Sequence, residues 1–329
     1  MLKRIAALLL LQSSAVYALT FEHQDWEMAC DNTHTCRMAG YQAHDDAPAS
    51  ILITYSAGKD AKASAKVKIL DAPPQAILWI SGQPQGLLEF KHDQAVLSKA
   101  QLDKILTQAR RLEPIEVRQG QQRWRVSTQG LTAVLLKNDE YQQRVGTASA
   151  LLAKGKQTLR QVRAAQAMPH YRITDYVRGK AQHYALNTAH AKRIVSGLKK
   201  STSEDDCPLL WQHSDQETQK LTIYPINAQQ VLVQVPCWQA AYNAGLGMWL
   251  MRHDLKQLQQ VVTYSASSFS EGQIFARHKG RGLGDCERVE EWAFTGQRFT
   301  QTYQAADLQC KGFIGGAWSL PTWVSRVSH

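Results

Sequence analysis

The sequence has no apolar run long enough to cross a membrane as a helix. The run from Ile5 to Leu11 falls far short of the roughly 20 residues a span requires, and no later run reaches that length. Cysteines are sparse, six in 329 residues, and no two stand in the CxxC spacing that structural zinc sites favour. Neither HExxH nor GxSxG occurs, so a helix-borne zinc protease site and a serine nucleophile elbow are not written into the chain. Two SxxK matches, at Ser56–Lys59 and Ser196–Lys199, lack the SDN and KTG partners such a site needs. The glycines of Gly280-Arg281-Gly282-Leu283-Gly284-Asp285 miss the GxGxxG spacing and precede no helical pattern, so they read as a tight turn. No cofactor and no metal is expected from these patterns.

Acidic residues are also in short supply. Asp and Glu number 28 against 38 Lys and Arg, a net charge of +10. Apolar residues at 44% and charged residues at 20% are ordinary for a globular chain, which excludes wholesale disorder. The length suits two domains.

The first residues read as a signal peptide covering 1–18. Lys3 and Arg4 form a basic n-region, Ile5 to Leu11 an apolar core, and Val16 with Ala18 a small-residue cleavage site. The mature chain is expected to begin near Leu19, in the periplasm or outside the cell. Six cysteines suit that oxidising compartment. They allow 15 pairings in principle, but they fall into three local groups: Cys30 with Cys36, Cys207 with Cys237, and Cys286 with Cys310. His23, His34 and His44 flank the first pair, which leaves a metal site as the alternative to a disulfide there.

Residues 19–150 read as an α+β domain. Ile51, Ile53 and Tyr55, then Val67 and Ile69, alternate as half-buried strands, and Ile77 to Ile80 reads as a fully buried one. Ser98 with Gln101 is a capping-box signature that starts one helix. A second helix is expected over Leu131–Val145, with a strand around Trp124 and Val126 between the two. Residues 207–329 carry short β-type runs with turns between them, expected to form an antiparallel meander, sandwich or barrel. Thr295-Gly296 marks a hairpin. The fold class is thus α+β and β-rich, in two disulfide-stapled domains.

Between them lies a basic, partly helical connector, residues 151–206. It holds eleven basic residues and four acids, whereas 19–150 balances at 15 against 15. Helices are expected over Ala148–Ala167 and, more weakly, near Ala181–Leu198. Arg160, Arg163, Lys192, Arg193, Lys199 and Lys200 are the candidate anion-binding residues. A solvated linker is the competing reading, but on an exported protein such charge meets anionic envelope polymers. His183 and His190 read as part of a solvated basic face rather than a ligand pair. Trp238, Tyr242 and Trp249, with Arg281 and Asp285, form a candidate groove, although aromatic residues beside a cysteine pair are more often core. No nucleic-acid module is recognisable.

Taken in order, several of these stretches resemble a known family. Asp25-Trp26, Cys30-Asp31-Asn32, Cys36, Gly40 and Tyr41 resemble the opening marks of the exported bacterial proteins grouped as domain-of-unknown-function family 1176. Ala57–Ala61 and Gly146–Leu151 resemble its later first-domain marks. Pro236–Asn243, and Gly280–Cys286 with Trp292, Phe299, Cys310 and Gly312, resemble those of its second domain. The first domain is also distantly similar to the invasion-associated locus B proteins, which share a tryptophan followed by two close cysteines. The resemblance implies export and two disulfide-bearing domains, and no particular activity. The expected role is a non-enzymatic binding module for an anionic envelope component or an envelope protein. A hydrolase of an envelope polymer, using acids such as Asp285 or Glu291, is the alternative.

Overall fold

Alternation of apolar and polar residues builds the chain's regular structure mainly as antiparallel strands, with few helices. The computed structural model describes residues 18–43, 46–111, 113–212 and 219–329; the signal-peptide expectation falls almost wholly outside them. Strands β1 (Leu19–His23), β2 (Trp26–Cys30), β3 (Cys36–Tyr41), β4 (Ala49–Tyr55) and β5 (Ser64–Ile69) precede β6 (Gln75–Ile80), β7 (Gln83–Glu89) and β8 (Gln94–Leu97). Helix α1 (Lys99–Gln108), β9 (Ile115–Gln119), β10 (Gln122–Val126) and α2 (Leu131–Tyr141) complete the first body. One sheet runs β1-β2-β3-β4-β5-β8 and a second β10-β9-β6-β7. Trp26, Met38, Ile51 and Val67 of the first sheet share a core with Leu78 and Val117 of the second and with Val134 and Leu135 of α2. The Ser98 hydroxyl accepts from the Gln101 amide, and the Gln101 side chain accepts from the Ser98 amide, closing the expected capping box.

Two sequence expectations are corrected here. The run Ile77–Ile80 is not fully buried. Leu78 and Ile80 face the core, while Ile77 is exposed and Arg118 stacks over the Trp79 ring at 4.3 Å. A sheet with one covered face needs only alternate apolar residues. The helix expected over Ala148–Ala167 is absent; only Leu159–Gln161 makes a single 3-10 turn. Tertiary bonds take the amides a helix would need. The Asp139 carboxylate accepts from Leu151, Leu152 and Ala153, and Gly155 and Arg163 donate to Thr147 and Gln142 carbonyls.

The chain then passes through β11 (His170–Arg172) to β12 (Gln182–Ala185) and α3 (Ala189–Leu198). The second weak helix is therefore confined to its last ten residues, Gln182–Ala185 pairing with the next strand instead. Strands β13 (Lys220–Pro225), β14 (Gln230–Gln239), β15 (Ala244–Arg252) and β16 (Leu258–Ala266) extend β12 into a five-stranded sheet. A second sheet contains β17 (Ser268–Ser270), β18 (Gln273–Lys279), β19 (Glu287–Phe294), β20 (Phe299–Asp307) and β21 (Leu320–Trp323). Leu232, Met248 and Leu250 meet Ile274, Phe294 and Phe299 between these sheets, and α3 covers the outer face of the first. Thr295-Gly296 turns β19 into β20, with Gly296 at φ +90°. The last strand, β22 (Arg326–Ser328), pairs in parallel with β11. No sheet among the described residues closes into a barrel. The cysteines pair as Cys30–Cys36, Cys207–Cys237 and Cys286–Cys310.

The residues after β20 return across the first body. Strand β2 is buried on both faces: Trp26 and Met28 enter the first core, while Ala29 joins Ala39, Tyr41 and Leu52 beneath Phe313, Ala317, Trp318 and Leu320. The Trp318 indole donates to the Ser50 hydroxyl at 2.6 Å. Asn32 clamps the Val324 backbone, accepting from its amide at 2.7 Å and donating to its carbonyl at 3.1 Å. Burying each large apolar side chain contributes about 1.5–3 kcal/mol.

Gly40 lies against the flat face of Trp26, where an added Cβ would come within 2.0 Å of the indole. Gly40→Ala should lower stability by about 1–3 kcal/mol or more, read as a lower urea midpoint. An unchanged midpoint would show that the indole has room to move.

Candidate functional site

Helix α3 begins where the Thr188 hydroxyl accepts from the Ala191 amide. Ala191, Ile194 and Leu198 fall on one face and pack on the sheet below. The same periodicity turns Lys192 and Lys199, seven residues apart, to a common side. Lys192, Arg193 and Lys200 are exposed and Lys199 is half-buried, its Nζ 5.2 Å from the Trp211 ring centroid. No acid occurs from residue 176 to 203, and among the described residues none of these four cations has an ion-pair partner. Beneath the lysines, Leu186, Val195, Ser196, Leu209 and Leu210 line a hollow of about 380 Å³. Its far wall is the turn Pro208–Leu210, fixed to β14 by the Cys207–Cys237 disulfide.

The six candidate anion-binding residues divide between two places. Arg160 and Arg163 belong to the first body: Arg163 stacks on Tyr141 at 4.5 Å, and its carbonyl accepts from the Gly58 amide. Lys192, Arg193, Lys199 and Lys200 cluster at α3. The stretch 151–206 is accordingly divided, with Leu151 in the first core and Leu186 to Cys207 in the second body's.

The candidate groove is dispersed as well. Trp249 is 0% exposed, with its indole donating to Thr202 at 3.3 Å beneath α3. Trp238 is half-buried, 5.1 Å from the His278 ring. Tyr242 is 65% exposed at the β14–β15 turn, against Gly282. The Asp285 carboxylate is buried, accepting from the Arg281 Nε at 2.7 Å and from the Gly312 amide at 2.6 Å. Arg281 holds its carboxyl below the usual range. Asp285 is therefore a brace between the glycine turn and the returning segment. It also stands beside Cys286 and Cys310, but the disulfide occupies both sulfurs and leaves one carboxylate, too few donors for a metal.

The outer face of the last sheet carries an open groove of about 470 Å³, lined by Arg277, Glu287, Glu291, Tyr303 and Trp318. Burial raises the Glu291 carboxyl, and Arg277 opposes that shift. At one end lies an arrangement that sequence reasoning missed. Tyr41 Oη sits 2.6 Å from Glu27 Oε1 and 3.2 Å from Asp307 Oδ1. A phenol has one proton to give, so the two acids compete for it. Desolvation raises both groups, Glu27 to about 7 and Asp307 to about 6, and they titrate as a pair. Backbone amides of Leu308, Ala317 and Trp318 bind the other oxygens. The only sequence signal was an acid in an otherwise apolar strand, Glu27 in β2.

Fold and site together define a chain of two β-rich bodies with three local disulfides, docked through its C-terminal segment and carrying one basic helix. No helix of the described residues is long and apolar enough to cross a membrane. The chain belongs to the family described as "Protein of unknown function (DUF1176)", whose model matches residues 20–325. It is 24% identical over 356 residues to the "Uncharacterized protein YpfG" of Escherichia coli (strain K12), covering 96% of each chain. Among solved structures, the tail fiber of Staphylococcus aureus phage P68 aligns with 86% of this chain and 67% of its own at 10% identity. Its TM-score of 0.17 carries no argument about the fold.

The acid pair generates a pH dependence. Both carboxyls are raised above their unfolded values, so between about pH 4 and about pH 7 the folded chain holds more protons than the unfolded one. Their stabilisation is complete below that window and is lost as pH rises through it. Denaturant titrations from pH 5 to pH 8 should show stability falling, with a flatter profile for the double variant Glu27→Gln, Asp307→Asn. Parallel profiles for the two proteins would contradict the raised carboxyls.

Proposed function

We propose that this is an exported binding protein that attaches through α3 to an anionic component of the cell envelope. The observation that carries this reading is the group of four cations, Lys192, Arg193, Lys199 and Lys200, on and just after one exposed helix, none of them in an ion pair among the described residues. Three disulfides with no cysteine left over fit an oxidising, extracytoplasmic compartment, and the basic n-region fits export. Exposed charges act over a Debye length of about 8 Å at physiological salt, so attachment is salt-sensitive.

A hydrolase of an envelope polymer is the second reading. The raised Glu291 carboxyl in a groove with Arg277 and Tyr303 favours it, as a proton donor to a leaving group. Asp285 does not serve that reading, being held by Arg281. Loss of turnover of envelope glycan in Glu291→Gln would support the hydrolase; absence of turnover by the wild type would remove it.

The binding reading is tested with dextran sulfate, a polyanion without apolar groups. The mature chain should bind it at low salt and release it as salt rises to about 0.3 M. The quadruple variant Lys192→Gln, Arg193→Gln, Lys199→Gln, Lys200→Gln should lose about tenfold or more in affinity, ~1.4 kcal/mol, at unchanged thermal stability. Arg160→Gln should bind like the wild type. Wild-type affinity in the quadruple variant would overturn the assignment to α3.

A further inference from the structure

We infer that the hollow under α3 takes the hydrocarbon chain of a single-chain amphiphilic anion, whose acidic head lies between Lys192 and Lys199. This rests on the binding reading and names its ligand class. A polyanion alone needs only the exposed charges. It does not need an apolar recess below them, and the recess is built of Leu186, Val195, Leu209 and Leu210. Its volume of about 380 Å³ lies in the range of small-molecule sites, roughly 300–1,000 Å³.

Such recesses close when their walls can relax. Here both walls are fixed. Helix α3 is seated on the sheet by Ala191, Ile194 and Leu198, and the opposite turn is joined to β14 by Cys207–Cys237. The two lysines stand at the rim and form no ion pair among the described residues, so they complement a carboxylate, sulfate or phosphate head. The recess is a partly open hollow bounded by α3 on one side and the turn Pro208–Leu210 on the other, with Lys192 and Lys199 at its rim, rather than a broad apolar face. It therefore suits one chain of a free amphiphile, not the surface of a bilayer.

Binding is measured by calorimetry on the mature chain with octanoate, decanoate and dodecanoate. Each two added methylenes should tighten binding by roughly tenfold until the hollow is filled. Dodecanol, which lacks the charge, should bind more weakly than dodecanoate. The variant Lys192→Gln, Lys199→Gln should keep the chain-length dependence and lose the preference for the charged head. Ser196→Trp, at an exposed position on the rim, should fill the hollow and abolish carboxylate binding while dextran sulfate binding persists.

If dextran sulfate binds but affinity is independent of chain length, the hollow is not the site and only the polyanion reading stands. If neither probe binds, both fall. Chain-length dependence that survives in Ser196→Trp would place the chain elsewhere, and binding only to phosphatidylglycerol vesicles would assign α3 to membranes. Either result overturns the inference.

Discussion

The docking of the C-terminal segment on the first sheet governs the arrangement of this protein. An edge-to-edge meander would leave one face of that sheet in water. Here β2 has no exposed face, and Phe313, Trp318 and Leu320 supply the second cover. That requirement explains a sequence in β2 that does not alternate, Trp26-Glu27-Met28-Ala29-Cys30. It also explains the acids at the junction. Glu27 and Asp307 are both buried and cannot both ionise cheaply, and they compete for the proton of their common neighbour Tyr41. The returning segment completes the seam with backbone amides and with the bidentate grip of Asn32 on Val324.

The same economy separates structural charge from available charge. Asp285 and Arg281 are spent on each other and on Gly312; Arg163 is spent on Tyr141 and on the wall of the first body. The cations on and just after α3 are in no ion pair among the described residues. Its amphipathic pattern seats the helix with three apolar residues and leaves the lysines outside, above a hollow whose far side is held covalently. Rigidity beneath and charge above are the two properties a small anionic amphiphile needs from a receptor, because a preorganised site loses less ordering entropy on binding.

Much of this was legible in residues whose signal is local. The Ser98–Gln101 cap, the Thr295-Gly296 hairpin and the three close cysteine pairs each depend on neighbours within a few dozen positions, and each is found as read. The expected helix over Ala148–Ala167 failed because the Asp139 carboxylate captures the amides of 151–153, a partner that no window of sequence around them reveals. Ile77 and Trp79 were read as buried because apolar character alone does not say how many faces of a sheet are covered. At the candidate site, the lysines stood out by composition. Trp249 was read both as a candidate groove residue and as core, and it is core, since a tryptophan looks the same in either place. The hollow's walls come from three separate stretches, 186, 195 and 209–210, which only the folded sheet brings together. The acid seam joins residues 27, 41 and 307 and was invisible for the same reason.

Helix α3 and the turn beside it form the proposed binding face. Amide hydrogen exchange of the mature chain, with and without saturating dodecanoate, addresses it directly, because exchange reports local opening segment by segment. The account predicts slower exchange in α3, Ala189–Leu198, and in the turn Pro208–Leu210, with Gln273–Phe294 unchanged. Protection confined to the groove strands β18 and β19, or to the turn bearing Tyr242, with α3 unaffected, would contradict it.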